Sequence, residues 1–212
     1  MKIIRQDNFE NGFPFIAYVP DEVSEHPALL VQLHGAGERG DGGEELDRVL
    51  VHGFSKIVTD ENLGDCILIM PQCPNNSFWV AKIESIKAFI DAMIEKFSAD
   101  TSRIYLSGIS MGGFGTWYTA MAYPDLFAAI LPCCGGGMAW NAEVLKMPIW
   151  AFHGLSDKVV SPNHTIEMVE KLKSCNENLK YTLLEGVGHN AWDYAFKEPA
   201  LEWILSNKKA RD

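Results

Sequence analysis

The pentapeptide Gly108-Ile109-Ser110-Met111-Gly112 constrains this chain more than any other stretch. The apolar run 103–107 precedes it, and residues 113–121 follow with the composition of a helix. Strand, G-x-S-x-G and helix together describe a tight elbow that lifts a serine out of the fold. Such a serine sits in a strained backbone conformation, and neighbouring strands leave space for nothing larger than glycine on either side. The N-terminus of the following helix brings N–H donors and positive partial charge to the hydroxyl. The plain alternative is a glycine-rich turn that joins a strand to a helix. The rest of the chain decides between the two.

Strand and helix patterns alternate. Residues 28–33 and 66–71 are nearly all apolar, as in strands buried on both faces of a parallel sheet. Residues 13–19, 103–107, 127–132, 148–152 and 181–185 read as further strands. The clearest helix is 80–97, where Val80, Ile83, Ile86, Phe89, Ile90, Met93, Ile94 and Phe97 recur at spacings of three and four. Residues 44–58 have room for another. Residues 161–174 form one with Ser161 as N-cap and Pro162 at the first helical position. A closing helix covers 193–207, bent or broken at Pro199. The alternation predicts an α/β fold, with a mostly parallel sheet flanked by helices on both faces. No repeat or linker divides the chain, so one domain over 1–212 is expected. Ligands of such sheets bind beyond the C-terminal strand ends, which makes the loops leaving those ends the informative ones.

The formal net charge of −10 argues against nucleic acid or an anionic membrane as partner. The five cysteines, Cys66, Cys73, Cys133, Cys134 and Cys175, are odd in number and show no C-x-x-C spacing. Buried reduced thiols are expected rather than a disulfide framework or zinc site. Reduced thiols suit a cytoplasmic location, as does an N-terminus without a long apolar run.

A serine hydroxyl needs a base to take its proton, and the base needs a carboxylate to hold its other nitrogen. In a strand–elbow–helix frame the chain order is serine, acid, histidine. Three histidines follow Ser110: His153, His164 and His189. His164 falls in a predicted helix, and His153 ends a strand whose own loop carries an acid. His189 lies after the last strand, in a loop that can swing over the elbow, and is the candidate base. Asp157 follows the 148–152 strand and is the candidate acid. Asp125 sits too close to the elbow, and Asp193 falls in a predicted first helical turn. The oxyanion donors are assigned to the backbone N–H of Met111 and of Ala36, with Gly37 next in line.

These residues carry a resemblance. His34-Gly35-Ala36-Gly37-Glu38-Arg39-Gly40, Pro71-Gln72-Cys73-Pro74, the elbow, Phe152-His153-Gly154-Leu155-Ser156-Asp157 and Gly188-His189-Asn190-Ala191-Trp192 occur in the family order of an α/β-hydrolase. The chain resembles the small esterase branch, near the phospholipase/carboxylesterase, feruloyl esterase and polyhydroxybutyrate-depolymerase-like families. The resemblance implies hydrolysis of carboxylic esters through an acyl-enzyme, a small-molecule ester as partner, and no metal or organic cofactor. Only residues 133–147 lie where many relatives carry a cap, too few for a cap domain. An open site for short acyl or aryl esters, including esters on carbohydrate, is therefore expected. Gln72 is a candidate hydrogen-bond donor to substrate. Trp79, Trp140 and Trp192 are candidates for an aromatic platform, against the alternative that they pack the core or cover loops. Two other readings share the fold: a serine peptidase of the prolyl-oligopeptidase type, and a non-catalytic ligand-binding protein.

Overall fold

Apolar strands buried on both faces organise the molecule. The computed structural model describes residues 1–10 and 12–210. One sheet holds eight strands: β1 (Lys2–Gln6), β2 (Phe15–Val19), β3 (Ala28–Leu33), β4 (Cys66–Pro71), β5 (Ile104–Ile109), β6 (Ala129–Cys133), β7 (Ile149–Gly154) and β8 (Leu179–Leu184). Their spatial order is β1-β2-β4-β3-β5-β6-β7-β8. The pairs β1–β2 and β2–β4 are antiparallel, and all later pairs are parallel. Among the described residues six α-helices accompany them: α1 (Asp60–Leu63), α2 (Ile83–Phe97), α3 (Met111–Ala122), α4 (Asn163–Leu172), α5 (Trp192–Ala195) and α6 (Glu198–Leu205).

The two faces are read directly from alternate residues. In β3, Leu29, Val31 and Leu33 enter one apolar cluster, and Ala28 and Leu30 enter the other. In β5, Ile104 and Leu106 take the first side and Tyr105 and Ile109 the second. The first cluster is closed by Phe89 and Met93 of α2, Trp117 of α3 and Leu172 of α4. The second is closed by Leu46, Leu63 of α1, and Leu201 and Ile204 of α6. This is the two-sided α/β arrangement that the strand composition predicts.

Several boundaries differ, each for a local reason. Residues 44–58 form no α-helix. They form two 3₁₀ segments, Gly43–Leu50 and Phe54–Lys56, separated by Gly53 at φ 90°. Helix α2 begins at Ile83, because Trp79–Ala81 is a 3₁₀ turn that drives the Trp79 ring into the core. The predicted closing helix is two helices. The chain is extended at Lys197 (φ −128°, ψ 166°), and Pro199 sits in the first turn of α6, where its missing N–H costs nothing. Pro162 caps α4 in place of Ser161, whose hydroxyl accepts from the Asn163 N–H at 3.4 Å. Strand β1 has no apolar run to announce it. It is a half-exposed edge strand that pairs with β2. Between β6 and β7 lies a single 3₁₀ helix, Ala139–Val144. Among the described residues no helix is long and apolar enough to cross a membrane.

Candidate active site

Strand β5 ends where the chain must turn at once into α3. Ser110 takes φ 55° and ψ −114°, a conformation that L-residues rarely adopt, and its N–H donates to Cys133 O at 2.8 Å. The flanking glycines are demanded by space. A Cβ on Gly108 would lie 2.1 Å from Gly112 O, and one on Gly112 would lie 2.0 Å from Leu33 O. The Ser110 hydroxyl points away from the sheet to the loop after β8. His189 Nε2 is 2.9 Å from Ser110 Oγ, and His189 Nδ1 is 2.6 Å from Asp157 Oδ2. Asp157 stands in the loop after β7, and its other oxygen accepts the N–H groups of Val159 and Val160 at 2.8 and 3.0 Å. A carboxylate can only accept, so the partners assign the histidine proton to Nδ1 and leave the Nε2 lone pair for the serine proton. Three residues distant in sequence thus form one hydrogen-bonded line.

The electrostatics follow from the packing. Burial alone would raise the Asp157 carboxyl, but the hydrogen bonds from His189, Val160 and Val159 outweigh it and hold the group below the ordinary carboxylate range. His189 is shifted the other way. The Cys134 sulfur beside it and then Asp157 favour its cation against the cost of partial burial, and raise it above the ordinary imidazole value of 6.5. The Cys134 thiol is itself drawn down to about 5, first by the Cys133 thiol whose sulfur lies 3.8 Å away. Burial pushes Cys133 upward.

Both backbone groups predicted as oxyanion donors stand first in a helix. Met111 opens α3 and Ala36 opens the 3₁₀ turn Ala36–Glu38. Such N–H groups have no partner inside their own helix and face outward. Ser110, Met111 and Ala36 line one open cleft of 520 Å³, whose walls are Phe78, Val80, Phe114, Tyr118 and Val160. The Arg39 guanidinium covers Phe78 at 5.1 Å from the ring centre. A larger cavity of 870 Å³ lies elsewhere, around Asp100, Ser102 and Lys208, remote from the serine.

A family model described as phospholipase/carboxylesterase matches residues 16–200. The chain belongs to this family. It is 28% identical over 153 residues to a bifunctional acetylxylan esterase/xylanase of Neocallimastix patriciarum, covering 68% of this chain and 21% of that one. It is 31% identical over 125 residues to feruloyl esterase B of Neurospora crassa, covering 53% of this chain and 40% of that one. The chain thus spans less than half the length of these two relatives. The solved structure of a thermostable esterase superposes with a TM-score of 0.80 at 30% identity, covering 98% of this chain and 63% of that chain.

Within this member of the phospholipase/carboxylesterase family, two of the side chains proposed for substrate serve the scaffold instead. Gln72 is fully buried. Its Oε1 accepts the Gly42 N–H at 3.0 Å, and its Nε2 donates to Glu38 O and Glu45 O at 3.1 and 2.7 Å. All its polar capacity ties down the loop after β3. Trp79 is also fully buried, and its Nε1 donates to His34 O at 3.0 Å. Trp140 stands 75% exposed on the 3₁₀ helix after β6. Only Trp192 reaches the site, its ring centre 5.1 Å from that of His189 and edge-on to it.

His34 is a structural strut that the sequence signals only as part of a glycine-rich loop. Its Nδ1–H donates to Gly35 O at 2.6 Å, and its Nε2 accepts the Cys73 N–H at 2.9 Å. Burial lowers it to about 4, so it stays neutral and keeps both bonds at neutral pH. Ala36 is therefore held by a buried ring and a buried indole rather than by the loop alone. One group of described residues offers three metal-ligating atoms within 4.8 Å: Cys134, His153 and Asp157, all buried. The Asp157 oxygens are engaged by His189, Val159 and Val160.

Proposed function

We propose that this chain is a serine carboxylesterase that hydrolyses short acyl or aryl esters, including esters on carbohydrate, through an acyl-enzyme. The observation that carries the reading is the hydrogen-bonded line Ser110–His189–Asp157 opening into a cleft that two helix-opening N–H groups also line. Ser110 Oγ attacks the ester carbonyl as its proton passes to His189 Nε2. The carbonyl oxygen, now anionic, is held by the Met111 and Ala36 N–H groups. His189 gives the proton to the departing alcohol, and the acyl group stays on Ser110. Water then attacks the acyl carbonyl with His189 again as base, and the acid leaves with Ser110 restored. Asp157 keeps the His189 ring in one tautomer and stabilises its cation without itself taking the proton.

The cleft supports the substrate class. Phe78 and Val80 are 53% and 43% exposed, so the wall beside Ser110 is apolar, shallow and open to solvent. A p-nitrophenyl ester series from acetate to long acyl chains tests this. Turnover is expected to fall beyond butyrate. A rate that keeps rising with chain length would contradict the open site, and no turnover on any member by folded protein would overturn the esterase reading. Acetylated xylan and methyl ferulate extend the series to acyl groups on carbohydrate and to aryl acyl groups.

The raised His189 value sets the pH response. The base works only when neutral, and a raised value keeps it protonated to higher pH. kcat/KM for p-nitrophenyl acetate is therefore expected to rise with pH through a midpoint above 6.5. Asp157, shifted downward, remains ionised across that range.

A further inference from the structure

Asp157 has a second imidazole beside it. His153 lies in β7, four residues before Asp157, and is wholly buried. Its Nε2 lies 3.1 Å from Val160 O and 3.3 Å from Asp157 Oδ2. Both neighbours can only accept, so the hydrogen on Nε2 is assigned by its partners. Nδ1 lies 2.7 Å from Thr165 Oγ1 of α4, and that oxygen lies 2.7 Å from Gly135 O. With the hydrogen on Nε2, Nδ1 accepts, and it competes with Gly135 O for the single Thr165 hydroxyl hydrogen; the ring sits between α4 and the acid loop.

Two details tie this ring to Asp157. Val160, whose carbonyl accepts from His153, is the residue whose N–H donates to Asp157 Oδ1. The carboxylate oxygen that faces His153 is the one that His189 Nδ1 uses. Two imidazole nitrogens therefore approach a single carboxylate oxygen, His189 Nδ1 in a hydrogen bond at 2.6 Å and His153 Nε2 at 3.3 Å with its own N–H directed to Val160 O. Filling the space between β7 and α4 calls only for an apolar side chain. A buried imidazole costs desolvation that its hydrogen bonds must offset, and those bonds lead to the acid loop.

We propose that His153 is a positioning residue: it braces the Asp157–Val160 turn through Val160 O and, by holding the positive end of its Nε2–H dipole beside Asp157 Oδ2, limits how tightly the carboxylate holds a proton on His189. This rests on the esterase reading above. A polarised N–H 3.3 Å from Asp157 Oδ2 offsets part of the negative charge that would otherwise act on His189 alone. Without it the His189 cation is favoured further, and the base is neutral only at higher pH. The titratable groups facing this array are Asp157 and His153 from β7 and its loop, Cys133 and Cys134 from the end of β6, His189 from the loop after β8, and Asp193 from α5. All except His153 stay in place when it alone is replaced, so a change in the profile reports on His153.

The test is the pH profile of kcat and kcat/KM with p-nitrophenyl acetate on the whole chain. His153→Leu is expected to lower kcat about tenfold or more, leave KM within about twofold, and move the acid limb upward. His153→Gln keeps a donor, and is expected to recover kcat to within about threefold of wild type and return the limb towards its original position. A limb unchanged in folded His153→Leu overturns the proposal, and so does equal impairment by Leu and Gln. If His153→Leu does not fold, His153→Phe replaces it. A phenyl ring keeps the shape of the imidazole and removes Nε2–H without touching the line from Ser110 to Asp157, and an unmoved limb overturns the proposal there too. The same upward shift is read without substrate from the ring protons of His189 by NMR titration. Ser110→Ala assayed alongside reports on the esterase reading itself, whatever the His153 variants do.

Discussion

Ser110→Ala is expected to abolish ester turnover, lowering kcat by about 10⁵–10⁶-fold, while the protein stays folded. The size follows from what is lost. Without Oγ there is no acyl-enzyme, and the Met111 and Ala36 donors can only assist direct attack by water. The fold is expected to persist because Oγ has one partner, His189 Nε2 at 2.9 Å, and that partner is part-exposed and can turn to solvent. Alanine has the same Cβ as serine, so the unusual φ of 55° is neither relieved nor worsened. The thermal midpoint should stay within about 3 °C of wild type. A p-nitrophenyl acetate assay on protein of native circular dichroism decides the matter. Turnover within tenfold of wild type would remove Ser110 from the mechanism and return the elbow to the role of a plain turn.

The elbow was readable because the backbone geometry itself demands those residue types. Gly108 and Gly112 are forced by carbonyls near 2 Å from where a Cβ would stand, and Ser110 by its place on the turn. His189 and Asp157 were readable from chain order, because a parallel sheet brings the loops after β7 and β8 to the same edge as the elbow. Gln72 and Trp79 were not. A polar or aromatic side chain just past a strand end serves substrate or scaffold equally well as far as sequence shows, and burial alone separates the two. Gln72 is consumed by three backbone groups of the loop after β3, and Trp79 by His34 O. The same ambiguity hid His34 and His153. Each sits where its neighbours in sequence do the visible chemistry, and each acts through partners from other elements: Cys73 and Trp79 for His34, Thr165 for His153. The 3₁₀ segments between residues 43 and 56 were missed for another reason. Their length leaves room for a helix, but Gly53 takes a positive φ, and the Gln32 side chain stands 2.2 Å from where a Cβ on it would be.

Gly112→Ala is expected to be the most damaging of the single-methyl changes near the site. The new Cβ would lie 2.0 Å from Leu33 O, 2.5 Å from Leu33 C and 2.8 Å from His34 O. These are backbone atoms with little freedom to yield. Leu33 is in register with Gly108 across the β3–β5 pair, and His34 O is held by the Trp79 indole. Relief can come only by drawing the start of α3 away from the end of β3. That movement costs about 3 kcal/mol or more, a fall in melting temperature of roughly 6–12 °C for a chain of this size. It also separates Met111, at the head of α3, from Ala36, in the loop that β3 feeds. Misplacing such donors by about 1 Å costs on the order of 10²-fold, so kcat should fall in whatever fraction remains folded, with KM less affected. Gly37→Ala is the control. Gly37 lies in the same loop and its φ is not positive, but nothing stands within 4 Å of its added Cβ, so stability should change by less than about 0.5 kcal/mol. Thermal melts and kcat on the two variants separate a requirement for space from a general intolerance of the loop. Equal damage from both would point to the loop backbone. A harmless Gly112→Ala would show that α3 and β3 can part without disturbing the site, and the donor geometry assigned to Met111 and Ala36 would have to be given up.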